Sequence, residues 1–229
     1  MVKNHLKSLY APKTWKIKRK KETFVTKPMS SGQKRDFVLP LNIIFKDFLK
    51  YCKTSKEVRL ILNDKNVTVD GIRLKEPHAT LGLFSVMTIT ESDEHFRLTI
   101  NTNGKLELRK IEKKEADIKP CKIRNKKIIG KDKVQINMDD GRNILLKKND
   151  YKTGDSLIIS VPKQEIKEHI PLEKGTIIIL TGGKHIGAFG TIEIIEGEKI
   201  MFTDDKNQTQ QTEKRYAFGL GVKKPSLTV

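Results

Sequence analysis

The sequence predicts an α+β, β-rich multidomain protein, and three observations carry that prediction. With 229 residues and 36% apolar content, the chain suffices for one large domain or two to three small ones, each with its own core. Helical periodicity is limited to a stretch after Pro40, whereas short alternating runs closed by Asp-Gly and glycine-rich turns recur downstream. Charge is unevenly laid out: residues 1–36 carry eleven basic and two acidic side chains, half of the net +18. These shifts divide the chain into an extended basic N-terminal arm at 1–36, a two-helix element with a small sheet at 37–92, a central β-rich domain at 93–165 and a small β-barrel at 166–229.

The arm shows no sustained amphipathic period, but Leu6, Leu9, Tyr10, Trp15 and Ile17 are interleaved among its lysines. It is expected to be irregular when free and to order on a nucleic acid. Lys3, Lys7, Lys13, Lys16, Lys18, Arg19, Lys20 and Lys21 would then meet phosphates, and Tyr10 and Trp15 would stack on bases or wedge against a sugar edge. The run Lys18 to Lys21 taken alone equally fits a localisation signal or a solvated tail; Trp15 and the apolar residues favour docking. On this reading, deletion of residues 1–21 leaves the core folded.

After Val38 the composition changes. Leu41, Ile44, Phe45, Phe48, Leu49 and Cys52 fall at helical offsets, which predicts an amphipathic helix with Pro40 near its first turn and Lys46, Lys50 and Lys53 exposed. Thr54 and Glu57 form the capping box of a second helix with Val58, Ile61 and Leu62 inward and Lys56 and Arg59 outward. The run NVTVDG then reads as a strand closing on the tight turn Asp70-Gly71, with a further strand near 85–90. In the middle segment VQINM, DDG and RNILL make a hairpin whose Val134, Ile136 and Met138 share a face answered by Ile144 and Leu146. A strand over 156–161 follows, and the lysines from Lys110 to Lys133 are expected on the surface.

The last third alternates strands with turns and leaves no room for a normal helix, so a small barrel is the economical closure. Gly182, Gly183, Gly187 and Gly190 would let a loop bend and bring its backbone close to a partner, with Lys184 as a phosphate contact. For any one glycine, turn geometry alone is the simpler account.

A net charge of +18 exceeds the magnitude of about 2 to 8 usual for a small soluble domain and calls for a polyanionic partner, most simply a nucleic acid. Cys52 and Cys121 lack zinc spacing and are expected as reduced core thiols, and the five histidines are single. No metal, cofactor or small-molecule substrate is therefore expected. The longest purely aliphatic stretch is Ile177 to Leu180, so no membrane span is expected and the cytoplasm is the anticipated location. The pairs Asp139-Asp140 and Asp204-Asp205 read as solvated turn charges, the glycine loop departs from a P-loop at Ala188 and Phe189, and Gly219 and Gly221 read as an ordinary turn. No catalytic residue is assigned.

In their order along the chain, these motifs resemble the ribosomal protein S-four-e (S4e) family of the archaeal and eukaryotic small subunit. His5, Leu6, Lys7, Leu9, Ala11, Pro12 and Trp15 are similar to the family's opening, and the helical element with VTVDG to its S-four-type domain. Gly141 to Ile144 fit its central hairpin, Tyr151 to Asp155 the following turn, and Thr181 to Gly190 its KOW motif; DGRNI and YKTGD look archaeal. The resemblance implies an SH3-like KOW barrel at the end, and a function in binding small-subunit ribosomal RNA beside neighbouring ribosomal proteins and supporting assembly. Two departures stand out: Ser8 replaces a residue usually basic in the family, and Ala188 follows Gly187 where Lys or Arg is common. A free-standing RNA-binding regulator or chaperone would use the same residues. An S-four-domain RNA-modifying enzyme is disfavoured because Lys75 stands where a pseudouridine synthase needs its aspartate.

Overall fold

The computed structural model describes residues 5–20, 22–129, 133–147, 150–204, 208–222 and 227. Lys3, Lys21 and Asp205 lie outside the described residues. The chain divides into two units, Met1–Thr99 with Lys105–Asp117 and Ile100–Gly104 with Ile118–Val229. Strands dominate the described residues of both.

In the first unit the described residues of the arm pack on one another and on the fold, which corrects the expectation of an irregular segment. Strand β1 (His5–Lys7) pairs antiparallel with β2 (Phe24–Thr26), and the Ser8 N–H donates to the Thr23 carbonyl at 3.0 Å. The Arg19 guanidinium folds back on the arm, donating to the carbonyls of Ser8 (3.2 Å), Ala11 (2.8 Å) and Pro12 (2.5 Å). Trp15 is 1% exposed, and the neighbouring Thr14 carbonyl accepts from the Leu106 N–H at 2.8 Å. The physical reason is area. A tryptophan withdraws about 200 Å² from water, which at about 25 cal/mol per Å² amounts to roughly 5 kcal/mol, enough to offset the ordering of several arm residues.

Next come β3 (Val38–Pro40), helix α1 (Leu41–Ile43) continuing as a π-turn over Ile44–Phe48, and α2 (Ser55–Asp64). The first helix is shorter than its apolar stripe predicts. The Leu49 N–H bonds back to the Ile44 carbonyl and the Tyr51 N–H to Phe45, and Lys50 turns left-handed with φ 58°. This wider winding buries Leu41, Ile44 and Phe45 but leaves Phe48 and Leu49 half-buried; Cys52 reaches the core from beyond the helix. Helix α2 starts as expected, with Thr54 and Glu57 in a reciprocal capping box and Val58 and Leu62 buried.

Strands β4 (Val67–Val69), β5 (Ile72–Arg73), β6 (Thr80–Gly82), β7 (Val86–Ile89), β8 (Glu94–Ile100) and β9 (Leu106–Lys110) follow. Strand β6 pairs with β3, and the others form one sheet in the order β5-β4-β7-β8-β9. Asp70 and Gly71 both have positive φ, 49° and 78°, the geometry of a two-residue hairpin turn. The Asp70 carboxylate is kept there by the Val86 N–H (3.0 Å) and the Ser85 hydroxyl (3.1 Å).

The second unit holds two five-stranded antiparallel sheets. In the first, β10 (Ile118–Ile128), β11 (Val134–Met138), β12 (Asn143–Leu146), β13 (Ser156–Ser160) and β14 (Ile166–Ile170) run in the order β12-β11-β10-β13-β14. The expected hairpin forms with Val134 opposite Leu146 and Ile136 opposite Ile144. In the second, β15 (Thr176–Leu180), β16 (Phe189–Glu196), β17 (Lys199–Asp204), β18 (Thr209–Glu213) and β19 (Ala217–Val222) run β18-β17-β16-β15-β19. Gly219 and Gly221, expected in a turn, lie within β19, where Gly219 fits against Ile170 and Ser156.

Candidate nucleic-acid interface

The cations fall into two populations. Lys7, Lys13, Lys16, Lys18 and Lys20 of the arm and Lys50, Lys53, Lys56 and Arg59 of the helical element are exposed, as is Lys184 in the loop after β15. Lys46 is partly covered and lies 3.9 Å from Glu22. On α2 the exposed side is held in place by the cap: Lys53 and Thr54 backbone N–H groups and the Thr54 hydroxyl bond the Glu57 carboxyl and keep it below the usual carboxylate range.

A second population is internal. Lys119 is 3% exposed and forms a 3.0 Å ion pair with Asp140, which Arg142 also meets at 3.2 Å. Asp140 is therefore no solvated turn charge, a correction to the sequence reading. Burial opposes its ionisation, but the Lys119 ammonium and the Arg142 backbone and side chain hold the carboxyl below its ordinary range. Burial also pushes the neighbouring Cys121 thiol well up, so it stays a neutral core group. Lys122 inserts its ammonium among the carbonyls of Lys214 (3.1 Å), Arg215 (3.1 Å) and Ala217 (2.5 Å), and burial lowers its pKa to about 8. Lys119 and Lys122 thus correct the expectation that the lysines between 110 and 133 line the surface. Arg97, wholly buried, does the same work in the first unit against Glu115 at 3.0 Å.

Two of the singled-out residues are claimed by the fold. Trp15 is buried and offers no open face for stacking, and Arg19 spends its guanidinium on arm carbonyls. Tyr10, at 76% exposure, and Leu9, at 74%, remain open. Ser8, noted as a lost basic contact, is buried with its hydroxyl on the Arg19 carbonyl at 2.9 Å, so its side chain faces the arm's interior.

The glycine loop is also shaped by the chain itself. A side chain at Gly182 would strike the Tyr216 ring. Gly187, with φ 78°, lies so close to the Asn101 backbone that a Cβ would overlap it. The close backbone approach expected at Gly187 is therefore to the chain's own Asn101. Gly183 has φ 83° and, with Lys184, is exposed.

The structure also brings together residues far apart in sequence. Trp15, Lys16, Lys18, Arg19 and Lys50 line one cleft with Phe48, Phe96 and Lys105. Lys105 was missed by the sequence reading, although the Asn103-Gly104 turn just before it marks the start of β9. Among the described residues no group of three or more His, Cys, Asp or Glu could hold a metal, and no helix is long and apolar enough to cross a membrane.

What these features define is a basic, sheet-rich protein that divides its cations between fold and surface, the arrangement suited to a polyanionic partner. Comparison with known proteins narrows the class. The chain matches the model of ribosomal family S4e over residues 92–166 and that of the RS4NT domain over residues 2–32. It is 37% identical to small ribosomal subunit protein eS4 of Methanocaldococcus jannaschii, over 97% of this chain and 96% of that one. Identity to the eS4 protein of Methanococcus maripaludis strain S2 is 34%, covering 99% and 98% of the two chains. The crystal structure of the 30S ribosomal protein S4e from Thermoplasma acidophilum superposes with a TM-score of 0.70 at 30% identity, covering 81% of this chain and 95% of that one. The chain belongs to ribosomal family S4e.

Proposed function

We propose that this chain is a structural constituent of the small ribosomal subunit, where it binds small-subunit ribosomal RNA and supports the particle's assembly and stability, and that it is not an enzyme. The observation that carries this reading is similarity along nearly the whole chain to relatives named as small-subunit ribosomal proteins. The charge agrees: a net +18 is large for a free protein and suits a partner dense in phosphate.

In finer terms, residues 37–92 act as an S-four-type RNA-binding element and residues 166–229 as an SH3-like KOW barrel, with the arm at 1–36 and the β domain at 93–165 completing the chain. Lys3, Lys7, Lys13, Lys16, Lys18, Lys20 and Lys21 of the arm and Lys46, Lys50, Lys53, Lys56 and Arg59 of the helical element meet phosphates, as does Lys184 beside Gly183. The exposure of the described members of this set supports the assignment, Lys46 being the one partly covered. Neighbouring ribosomal proteins are the remaining partners, and the cytoplasm is the location.

The test is sedimentation of tagged protein from lysate. Co-migration with the small subunit is expected, and a pool mainly on other RNAs would refute the reading. Affinity for small-subunit RNA is expected to fall by orders of magnitude between low and physiological salt, as counterion release from several phosphates requires.

A further inference from the structure

A cleft of about 610 Å³ opens in the first unit where the arm, the end of the π-turn and the start of β9 meet. Its inner side is apolar: Trp15 and Phe96 are buried, and Phe48, Leu49 and Leu108 are half-buried. Lys16, Lys18 and Lys50 on its lining are exposed, and Lys105 is partly so. Asp47 and Glu107 also border it, and Arg19 and Lys105 donate to arm carbonyls, which leaves the exposed Lys16, Lys18 and Lys50 as the rim cations for a phosphate.

We propose that this cleft receives a single unpaired nucleotide of the bound RNA, its base against the Phe48, Leu49 and Leu108 side and its phosphate among the lysines. The inference rests on the RNA-binding reading above and adds the kind of RNA element recognised. Two observations carry it. The volume lies within the range of about 300–1,000 Å³ of sites that enclose one small ligand, too little for a duplex. The pairing of aromatic and aliphatic wall with lysine rim matches the two halves of a nucleotide, and unstacked bases are what proteins read in RNA. A protein partner fits less well, because lysine is depleted at the core of protein interfaces. Lys50 holds a left-handed backbone, φ 58°, where glycine would sit without strain. Replacing Lys50 by glycine therefore removes the side chain without straining the backbone.

The experiment uses the full chain and three RNA hairpins of equal length: one with a single bulged uridine, one abasic at that position and one fully paired. The bulged hairpin is expected to bind about tenfold more tightly than the abasic one, the effect of seating one base on an apolar wall. Phe48→Ala is expected to bring that ratio close to one, whereas Lys50→Gly, which removes a phosphate contact the bulged and abasic hairpins share, is expected to weaken both by a similar factor and to melt no earlier than the parent because the backbone is relieved. A 4-thiouridine at the bulge should cross-link within residues 47–50 or 105–108. Equal binding of the three hairpins, a ratio unchanged in Phe48→Ala, or affinity unchanged in Lys50→Gly overturns the cleft assignment and leaves general RNA binding intact. Failure of every hairpin to bind saturably at low salt overturns the RNA-binding reading itself.

Discussion

Replacing Asp140 by asparagine keeps the shape of the turn after β11 and removes the charge that Lys119 faces at 3.0 Å, both side chains being at most 5% exposed. An ammonium buried that deeply keeps its desolvation cost and loses its main repayment, and breaking such a pair from one side costs about 3–5 kcal/mol. Arg142, on the same carboxylate, is 19% exposed and can turn toward water, so the lower end, about 3 kcal/mol, is expected, or roughly 10 °C in melting temperature. Thermal denaturation of D140N followed by circular dichroism measures it. The double variant K119M/D140N should melt above D140N, because removing the ammonium removes the unpaired charge. The pH dependence follows in sign. The native carboxyl lies below its ordinary value of 3.8, so its contribution is complete above that value and is lost as pH falls through the lower native one. The gap between parent and D140N should therefore stay constant from pH 7 to 5 and close only under stronger acid. A loss under about 1 kcal/mol, or a double variant less stable than D140N, would refute the view of this pair as buried and coupled.

Other predictions are more local. Thr54→Ala should cost about 1 kcal/mol by opening the capping box of α2, seen as a lower urea midpoint. Lys122 has a native pKa of about 8 against an ordinary 10.5. Between those values the unfolded chain holds the extra proton, so the parent should gain stability relative to K122M as pH rises through that window, measured by parallel urea titrations. Trp15→Ala should cost about 3–5 kcal/mol, and deletion of residues 1–21 should lower the melting temperature of the first unit. A truncated protein that melts like the parent would show the arm to be separable after all.

Elements set by local chemistry were legible in the sequence. The capping box at Thr54 and Glu57, the Asp70-Gly71 turn and the hairpin of β11 and β12 each depend on residues a few positions apart, and each forms where expected. The first helix was legible in position but not in length. Its apolar spacing runs on to Cys52, while a π-turn and the left-handed Lys50 end it at Phe48, because burial at Cys52 can be reached from a loop as well as from a helix. Gly219 was misread for a similar reason: close packing on Ser156 and Ile170 calls for glycine within a strand as much as a turn does, and Gly221 lies in the same strand.

The charges were the least legible, and the reason is physical. Composition counts cations but does not distinguish one facing water from one facing a carbonyl. Lys119, Lys122, Arg97 and Arg19 all carry the charge that suggests an RNA ligand, yet each is committed to an acceptor inside the protein. Their acceptors, Asp140, the 214–217 carbonyls, Glu115 and the Ala11 and Pro12 carbonyls, lie 7 to 95 positions away, beyond any local pattern. The same holds for the arm: Lys7, Lys13, Lys16, Lys18 and Lys20 are exposed, but Trp15, which made the segment look like a ligand for bases, is what fixes it to the fold. Because that anchor lies inside the basic stretch, truncation removes structure and charge together. Substitutions that neutralise Lys16 and Lys18 while sparing Trp15 and Arg19 separate the arm's part in holding the protein from the part proposed for it in holding RNA.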